Sequence, residues 1–500
     1  MRNINIKRLL AVLTVLCILL VPFFAVQAAQ DTTDTSKDLE YIRSIMDMIK
    51  DKHKGEVTDK QLLEGALKGM FGSMDKYTTY FSIDEANGFM DSVEGKFKGI
   101  GVTLSKIGDY VTVEQVFAQS PAEKAGIGVG DRIVSVDGRN AVGNPIESVT
   151  KYIKGKKDVK ISLQIIKNGD TKPVAINLQK DDVKVNPVTY EIKDNIGYIK
   201  LDMFSKNADE FIIKALNDMD EKGVKNIVLD LRDNPGGELD QAVALAEKFI
   251  PEGLITKLQY QSKDYVNKEY YSHLKNPKYK LAVLVSGGSA SASEVFAGAV
   301  KDSRAGTLIG TKTYGKAKVQ VMIPLLTPEA YAKYEKQLNV KLVNGYDLYN
   351  KFNINPPMNE IIGWTKITVG EYTTPKGNMI DQKGIMPDIE TADPDKVKDI
   401  SLGSLTKLKK QFVFSSKDEG SDVYAAKKLL IVQGYDIDNL DTVMDEKTVA
   451  AVMKFQSGNG LYAYGDLDLT TQQLMNEKIQ KILDDSDKQY KRAVEFLTGN

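Results

Sequence analysis

The sequence predicts a multidomain α/β protein in which N-terminal helices, a β-rich module, a larger α/β region and a small all-α unit follow one another. Its 500 residues are enough for about three domains. The composition, with 42% hydrophobic and 27% charged residues, is ordinary for globular protein. The spacing of apolar residues changes along the chain, from a helical period to short alternating strands and then to alternating strands and helices. The chain can therefore bury a large core.

The charge balance argues against nucleic acid as a partner. The chain has 67 basic and 68 acidic residues, for a formal net charge of -1. Proteins that bind DNA or RNA neutralise phosphates with a concentrated basic surface, and the sequence has no long basic patch. We therefore expect no nucleic-acid partner.

Residues 1–29 have the layout of a secretory signal: basic residues, an apolar run from Leu9 to Val26, and small residues up to Ala29. The apolar run is close to the length that spans a bilayer, so an uncleaved membrane anchor is the alternative. In either case we expect the rest of the chain to be extracytoplasmic. The sole cysteine, Cys17, lies in this segment, so the mature part can form no disulfide and bind no metal through thiolates.

The periodicity divides the remaining chain into four regions. Helical spacing predicts an N-terminal helical region over 36–92, and short strands with frequent glycines predict a β-rich module over 93–182. Alternating strands and helices over 183–400 indicate an α/β region with a largely parallel sheet. Residues 327–364 within it, rich in Tyr and Asn, look like an insertion. A compact unit with two helical patterns follows over 417–482.

A turn of glycines and serines, Gly287–Glu294, connects the apolar strand Leu281–Val285 to a predicted helix. A nucleophile at such an elbow lies at the carboxyl edge of the sheet, where backbone amides at the helix start can stabilise an oxyanion. The alternative is structural, because Ser291 and Glu294 also have the spacing of a capping box. The local sequence leaves both interpretations open.

A lysine at a glycine corner follows this turn along the chain. Lys316 comes after Gly315 and precedes an alternating apolar stretch, so it lies near the start of a predicted strand. A lysine acts as a base only when it is neutral, which burial in an apolar site favours. A solvated lysine at a strand entrance is the alternative. The two histidines, His53 and His273, are both distant from the serine turn in sequence, so the pattern suggests a Ser/Lys hydrolase.

A second glycine turn follows the apolar strand Asn226–Leu231. It contains Asn234 and Pro235 and ends in Gly236 and Gly237. Paired glycines allow backbone amides to approach a reacting carbonyl closely, as an oxyanion hole requires. A tight turn initiated by Asn-Pro is the structural alternative.

Taken together, five ordered motifs resemble the carboxyl-terminal processing peptidases, which are tail-specific serine proteases with a Ser/Lys catalytic pair. The motifs lie at Asp230–Gly237, Gly288–Asp302, Gly315–Gln320, Tyr372–Gly377 and Gly384–Asp388. The resemblance implies an α/β protease core over 183–400 and a set of site residues in it. These are Ser291 as nucleophile, Lys316 as general base, Gln320 orienting the lysine, Asp302 in support, and the amides of Gly237 and Ala292 as the oxyanion hole.

The β-rich module resembles a PDZ domain. The resemblance assigns its carboxylate-binding loop to Gly99, Ile100, Gly101 and Val102. Such a loop captures a C-terminal carboxylate while the tail adds as a strand to the sheet edge. Lys154 occupies a place where the family often has an arginine that couples PDZ occupancy to activity. Since lysine lacks the guanidinium fork, that gating role is in doubt here.

The last unit, 417–482, resembles a peptidoglycan-binding module of three helices, and a generic helical bundle is the alternative. Its acid-rich stretch Asp436–Lys447 lacks the register of a calcium loop, and we expect no metal and no other cofactor. The family resemblance further implies a homodimer through the N-terminal helices and peptidoglycan as a second partner. It also implies an enzyme associated with the cell wall.

The sequence therefore predicts an exported serine endopeptidase that recognises C-terminal tails of proteins and cleaves through an acyl-enzyme. A catalytically silent cell-wall scaffold, built from the same PDZ and wall-binding modules, is the rival from another class. A crotonase-like acyl-thioester enzyme, which also uses glycine-rich oxyanion turns, is a weaker rival, since export and a PDZ module do not fit it.

Overall fold

A computed structural model of the protein describes residues 35–155, 160–263, 265–340 and 344–499. The predicted signal segment, with Cys17, lies outside these residues. The described residues belong to two compact units, one ending at Asp75 and one beginning at Lys76. Within the described ranges, every helix is too short or too polar to cross a membrane.

The first unit consists of two helices and a loop, as the apolar spacing predicts. They are α1 (Thr35–Lys52) and α2 (Asp59–Gly72). The second helix begins at a capping box, in which Thr58 and Gln61 satisfy each other's backbone N–H groups. Several large apolar side chains of this unit are exposed, among them Leu39, Tyr41 and Met70.

The second unit begins with β1 (Thr79–Phe81) and α3 (Ile83–Glu94), which lead into the β-rich module. The module has an antiparallel sheet in the order β3-β4-β5-β7-β8, with β6 paired to β5. Its elements are β2 (Lys96–Gly99), β3 (Val102–Ile107), β4 (Tyr110–Val116), α4 (Pro121–Lys124), β5 (Arg132–Val136), β6 (Arg139–Asn140), α5 (Ile146–Lys154), β7 (Lys160–Ile166), β8 (Pro173–Gln179) and β9 (Asp181–Lys184). Apolar residues of α5 and of the sheet form one core.

The α/β region is built on a six-stranded sheet in the order β10-β11-β12-β15-β16-β19. Strand β10 is antiparallel to its neighbour, and the other pairs are parallel. The elements of this layer are β10 (Val188–Lys193), β11 (Ile196–Leu201), α6 (Ala208–Glu221), β12 (Asn226–Asp230), α7 (Leu239–Phe249), β15 (Lys280–Val285), α8 (Ala292–Ser303), β16 (Gly306–Gly310) and β19 (Ile389–Glu390).

A second sheet of the same region is antiparallel throughout. It has the order β1-β18-β13-β14, and β17 also pairs with β18. Its further strands are β13 (Gly253–Tyr260), β14 (Lys268–Ser272), β17 (Lys318–Leu326) and β18 (Ile361–Thr373). The multidomain architecture of helices and mixed sheets is thus as predicted. A largely parallel arrangement is not confirmed for the chain as a whole, because most of its sheets are antiparallel and parallel pairing is concentrated in the six-stranded one.

The predicted insertion, 327–364, contains α9 (Pro328–Leu338), α10 (Gly345–Asn350) and a 3₁₀ turn at Met358–Glu360. It has a small core of its own around Tyr334 and Leu348. Its last residues belong to β18, so part of the predicted insertion is a strand of the second sheet.

The C-terminal part holds a hairpin and four helices. They are β20 (Lys396–Val397), β21 (Ile400–Ser401), a 3₁₀ turn at Leu402–Ser404, α11 (Ser421–Val432), α12 (Glu446–Gly458), α13 (Leu469–Ser486) and α14 (Lys488–Thr498). The first three of these helices form one core. It includes Leu429 of α11, Phe455 of α12 and Phe414 from the segment before α11. The sequence predicted two helical patterns here and assigned nothing to the residues after 482.

Helix α14 returns to the six-stranded sheet. Successive residues of a strand point to opposite faces, so the sheet has two apolar faces to bury. Helices α6, α7 and α8 share the larger core with one face. Ala493 and Leu497 of α14 pack against the other face, beside Val228 and Leu284.

This packing predicts that α14 stabilises the α/β region. Leu497→Ala should lower the free energy of unfolding by roughly 2–4 kcal/mol, because the buried side chain would leave a cavity. Urea unfolding followed by the fluorescence of the single tryptophan, Trp364 in β18, measures this. Leu497 is 4% exposed and Leu469 is 45% exposed, so Leu469→Ala is the matched control and should cost within about 0.5 kcal/mol. Equal costs for both variants would contradict the packing role.

Candidate active site

The predicted site residues gather around one cavity of 640 Å³ in the α/β region. Its walls come from the serine elbow, the second glycine turn, α3, β17 and β18. Five predicted residues line it: Ser291, Lys316, Gln320, Gly237 and Ala292. Asp302, Lys154 and the two histidines are not among the lining residues.

Ser291 is the last residue of the turn between β15 and α8, as the sequence predicted. Its backbone has φ 56° and ψ −116°. A positive φ is uncommon for a residue other than glycine and persists only where the surroundings enforce it. The enforcing contact is with Glu294, whose Oε2 accepts a hydrogen bond from the Ser291 N–H at 3.0 Å. The structural alternative, a capping contact between these two residues, is therefore also realised in part.

The two neighbouring serines are committed elsewhere. Ser289 and Ser293 are both fully buried. The hydroxyl of Ser289 donates to the Leu231 carbonyl at 2.7 Å, and that of Ser293 donates to the Asn234 carbonyl at 3.0 Å. These bonds fasten the serine elbow to the second glycine turn. Of the three serines in the run, Ser291 alone lines the cavity.

The second glycine turn lies directly against Ser291. A Cβ on Gly236, at φ 103°, would be 2.7 Å from Ser291 Cβ and 2.9 Å from the Ala292 nitrogen. A Cβ on Gly237, at φ 140°, would be 2.3 Å from the Phe204 carbonyl oxygen. Both positions therefore require glycine. In the part of the chain that the structure describes, neither the Gly237 N–H nor the Ala292 N–H has a hydrogen-bond acceptor.

Glu294 connects the serine elbow to the lysine turn. Besides the Ser291 N–H, its carboxylate accepts hydrogen bonds from Thr313 Oγ1 at 2.6 Å, from the Gly315 N–H at 2.7 Å and from the Lys316 N–H at 2.8 Å. The side chain is fully buried. Burial raises the pKa of this carboxyl, and the four donors oppose the rise. The sequence analysis considered Glu294 only as a capping residue and missed this connection.

Lys316 and Gln320 meet through a third residue. The Nζ of Lys316 lies 5.0 Å from the centre of the Tyr77 ring. The Gln320 side-chain amide donates to the Tyr77 carbonyl at 2.7 Å. Gln320 therefore holds the main chain of Tyr77, and Lys316 lies over the ring of Tyr77. Ala317, directly after Lys316, is fully buried.

Tyr372 is a site residue that the sequence analysis missed. It is almost fully buried in β18, lines the cavity, and donates a hydrogen bond to the Lys316 carbonyl. Burial, together with the charge of Glu294, raises the pKa of Tyr372 well above its usual range, so the phenol is a neutral donor. The available signal was its place at the head of the motif Tyr372–Gly377.

Asp302 lies outside the cavity, at the end of α8. Its Oδ2 accepts hydrogen bonds from Thr374 Oγ1 at 2.5 Å and from the Lys376 N–H at 2.9 Å. These contacts hold the turn that follows β18, two residues after Tyr372. A supporting role for Asp302 would therefore act through the position of β18.

The predicted carboxylate loop lies at the start of β3, in the β-rich module. Gly101 has φ 83°, and a Cβ there would be 2.2 Å from Ser120 Cβ, so the loop needs glycine at this position. Ile100 is buried in the core of the module. Lys154 is the exposed last residue of α5, and its carbonyl accepts a hydrogen bond from Lys180 Nζ.

The ligand-type side chains of the described ranges form no cluster that could hold a metal. No group of three or more His, Cys, Asp or Glu is suitably arranged there. The cavity brings together a strained serine, a lysine and two backbone N–H groups. These are the parts of a serine hydrolase.

Comparison with known proteins agrees with this class. The model of peptidase family S41 matches residues 195–391, and a PDZ domain model matches 99–178. A peptidoglycan binding domain model matches 419–475, and the model of the N-terminal domain of the activating protease CtpB matches 24–85.

Full-length relatives agree as well. The carboxy-terminal processing protease CtpA of Bacillus subtilis is 30% identical over 94% of this chain and 92% of its own length. The protein named "Probable CtpA-like serine protease" in Staphylococcus epidermidis is 31% identical over 89% of this chain and 82% of its own. The chain therefore belongs to peptidase family S41, with the carboxy-terminal processing proteases, and is a serine-type peptidase with a PDZ domain and a peptidoglycan binding domain.

The four bonds at Glu294 predict a large effect from a nearly isosteric change. In Glu294→Gln, the amide NH₂ would face two donors and accept from neither. We expect a cost of roughly 1–3 kcal/mol in stability and a roughly hundredfold fall in kcat/KM, because the serine and lysine turns would lose their common anchor.

Urea unfolding and cleavage of a tailed protein substrate measure the two effects. The exposed Glu390 in β19 provides the matched control, since Glu390→Gln should change neither quantity. Full activity in Glu294→Gln would show that the carboxylate does not hold the site together.

Proposed function

We propose that the protein is an exported endopeptidase that cleaves substrates carrying accessible C-terminal tails, with Ser291 as nucleophile and Lys316 as general base. The observation that carries this proposal is the convergence of Ser291, Lys316, Gly237 and Ala292 on one cavity. The burial and hydrogen bonding of Ser289 and Ser293 favour Ser291 over its neighbours.

The proposed reaction proceeds through an acyl-enzyme. Ser291 Oγ attacks the scissile carbonyl carbon while neutral Lys316 takes the hydroxyl proton. The oxygen that gains negative charge is stabilised by the N–H groups of Gly237 and Ala292. Collapse breaks the C–N bond, and the lysine gives its proton to the leaving amine. A water molecule, deprotonated by Lys316, then hydrolyses the ester and restores Ser291.

The remaining residues take supporting roles in this proposal. Gln320 positions the lysine by holding Tyr77, over whose ring Lys316 Nζ lies. Tyr372 fixes the lysine turn through its hydrogen bond to the Lys316 carbonyl. Asp302 acts at a distance by anchoring the turn after β18.

Substrate selection is proposed to begin at the PDZ domain, over 93–182. Its loop Gly99–Val102 would take the terminal carboxylate while the tail adds to β3. The peptidoglycan binding domain, over 417–482, would hold the enzyme at the cell wall, and the N-terminal region, 36–92, would form a homodimer. The exposed apolar side chains of α1 and α2 support that last assignment.

The silent-scaffold alternative is not favoured, because a scaffold does not require a strained serine aimed into a cavity with a lysine and two N–H groups. The membership in a peptidase family also leaves no support for an acyl-thioester enzyme.

A serine scan tests the nucleophile. Ser291→Ala should abolish cleavage of a tailed protein substrate, with a loss of roughly 10⁴-fold or more in kcat. Ser289→Ala and Ser293→Ala are the matched controls. Each should lose roughly 1–3 kcal/mol of stability through the loss of a buried hydrogen bond but retain cleavage at a temperature where it stays folded. Full activity in Ser291→Ala would reject the assignment.

Fluorophosphonate labelling tests the base. The wild-type protein should be labelled, and Lys316→Ala should lose labelling because the serine can no longer be deprotonated. The exposed Lys312 in the same turn offers the control, and Lys312→Ala should be labelled at the wild-type rate. A wild-type protein that is neither labelled nor active would instead favour the scaffold.

A further inference from the structure

Strand β3 is the PDZ edge to which a tail would add. In its hairpin with β4, Ile107 pairs with Tyr110 across a tight turn, and Lys106 pairs with Val111. Hydrogen-bonded and non-hydrogen-bonded pairs alternate along such a ladder, so Lys106 and Leu104 direct their N–H and C=O groups away from β4. The register shifts between Leu104 and Thr103, but the extra residue lies in β4, so the alternation along β3 continues to Val102. These three residues make up the outer edge of the strand.

One of the three outer positions is occupied by the protein itself. The N–H of Lys106 donates to the Glu419 carbonyl at 2.8 Å, and the N–H of Glu419 donates to the Lys106 carbonyl at 2.8 Å. Glu419 lies in the segment 418–420, whose opposite side is bonded to the peptidoglycan binding domain. The Gly420 N–H donates to the Thr442 carbonyl at 3.0 Å, and the Met444 N–H donates to the Asp418 carbonyl at 2.8 Å. The C-terminal domain thus extends the PDZ sheet by an antiparallel bridge, here called the Lys106–Glu419 bridge.

Side chains on both sides reinforce the bridge. Asp418 Oδ1 accepts a hydrogen bond from the Gly108 N–H at 2.6 Å. Glu114 of β4, with a side chain only 6% exposed, pairs with Lys409 Nζ at 3.1 Å and accepts a hydrogen bond from Ser421. Ile107 packs against the core of the C-terminal domain. The contact combines main-chain, ionic and apolar parts, which is more than a single exposed pair provides.

Glu419 also interacts electrostatically with the helix that forms the other wall of the PDZ groove. Burial raises the pKa of Glu419, and the charge of Glu147 in the first turn of α5 raises it further. Glu419 is therefore within electrostatic reach of both β3 and α5, the two elements between which a tail would lie.

We propose that the Lys106–Glu419 bridge sets the length of tail that the PDZ domain reads. This rests on the proposed function, in which the tail carboxylate binds at Gly99–Val102 and the tail runs antiparallel to β3. Only Val102 and Leu104 then remain as outer pairing positions, which corresponds to roughly the last four residues of a tail. Residues further upstream reach Lys106, where Glu419 already forms the ladder. The main chain of Glu419 thus determines specificity by closing the outer edge of β3 at Lys106. Tail selection stops at this boundary, which the C-terminal domain builds.

Peptide length tests the proposal in the full chain carrying Ser291→Ala, which prevents cleavage. The probes are fluorescein-labelled peptides of about four and about ten residues, with the same apolar C-terminal residues and a free carboxylate, measured by fluorescence anisotropy. With the bridge intact, the longer peptide should bind within about twofold of the shorter one.

Breaking the bridge should make the affinity for a peptide depend on its length. Glu419→Pro removes the Glu419 N–H donor, and the longer peptide should then gain roughly tenfold over the shorter one by pairing with Lys106. Glu419→Ala is the matched control, because both bonds of the bridge are main-chain bonds, and it should behave as the parent. The double variant Lys106→Cys with Glu419→Cys, oxidised to a disulfide, keeps the bridge closed and should show no gain with length.

The outcomes separate this inference from the function on which it rests. Binding of the short peptide with no length effect in Glu419→Pro would overturn the boundary alone. A length effect already present in the parent and retained in the disulfide form would overturn it too. If neither peptide binds any form, tail recognition by the PDZ domain fails, and the boundary fails with it. Circular dichroism of Glu419→Pro checks that its C-terminal helices remain folded.

Discussion

The catalytic cavity depends on one buried carboxylate. Glu294 is in the first turn of α8, yet three of its four donors come from the turn at Thr313–Lys316. A buried charge is costly unless it is fully bonded, so the protein gains by keeping both turns where the donors can reach it. The same carboxylate holds the Ser291 N–H, and with it the strained backbone of the serine. Ser291 and Lys316, the proposed nucleophile and base, are therefore positioned relative to each other through a side chain that does not line the cavity.

The strand-turn-helix units were predictable because their signals are local. The apolar run Leu281–Val285 and the glycine-serine turn after it define the elbow in sequence, and the motif resemblance identified Ser291, Lys316 and Gly237, which do meet at one cavity. The partners of Glu294 were not predictable in this way, because Ser-x-x-Glu spacing also fits a capping box. The other three donors to Glu294 lie at Thr313–Lys316, beyond the end of α8 and the strand β16. Tyr372 was likewise visible as part of a motif, but nothing local indicates that its hydroxyl reaches Lys316.

The packing of helices and strands against one another was the property that the sequence predicted least well. The periodicity indicated helices near the end of the chain, but the surface that an amphipathic helix covers is set by tertiary packing. Thus α14 could not be assigned to the six-stranded sheet, nor the Glu419 segment to the PDZ edge. The expectation of a largely parallel sheet was not confirmed for the chain as a whole for a related reason, since β17 and β18 of the second sheet pair antiparallel through contacts that alternation does not encode.

The position of α14 ties the protease sheet to residues that follow the peptidoglycan binding domain in chain order. Arg232, next to the oxyanion turn, pairs with Asp230 and also with Asp487, where α14 begins. Until α14 has been synthesised and docked, one apolar face of the sheet stays exposed and Arg232 lacks its partner Asp487. Such pairing of distant segments is slow to form. A nascent chain can therefore bury the second face of the protease sheet only after the peptidoglycan binding domain has emerged, so this sheet is completed after the domain that follows it in the chain has been synthesised.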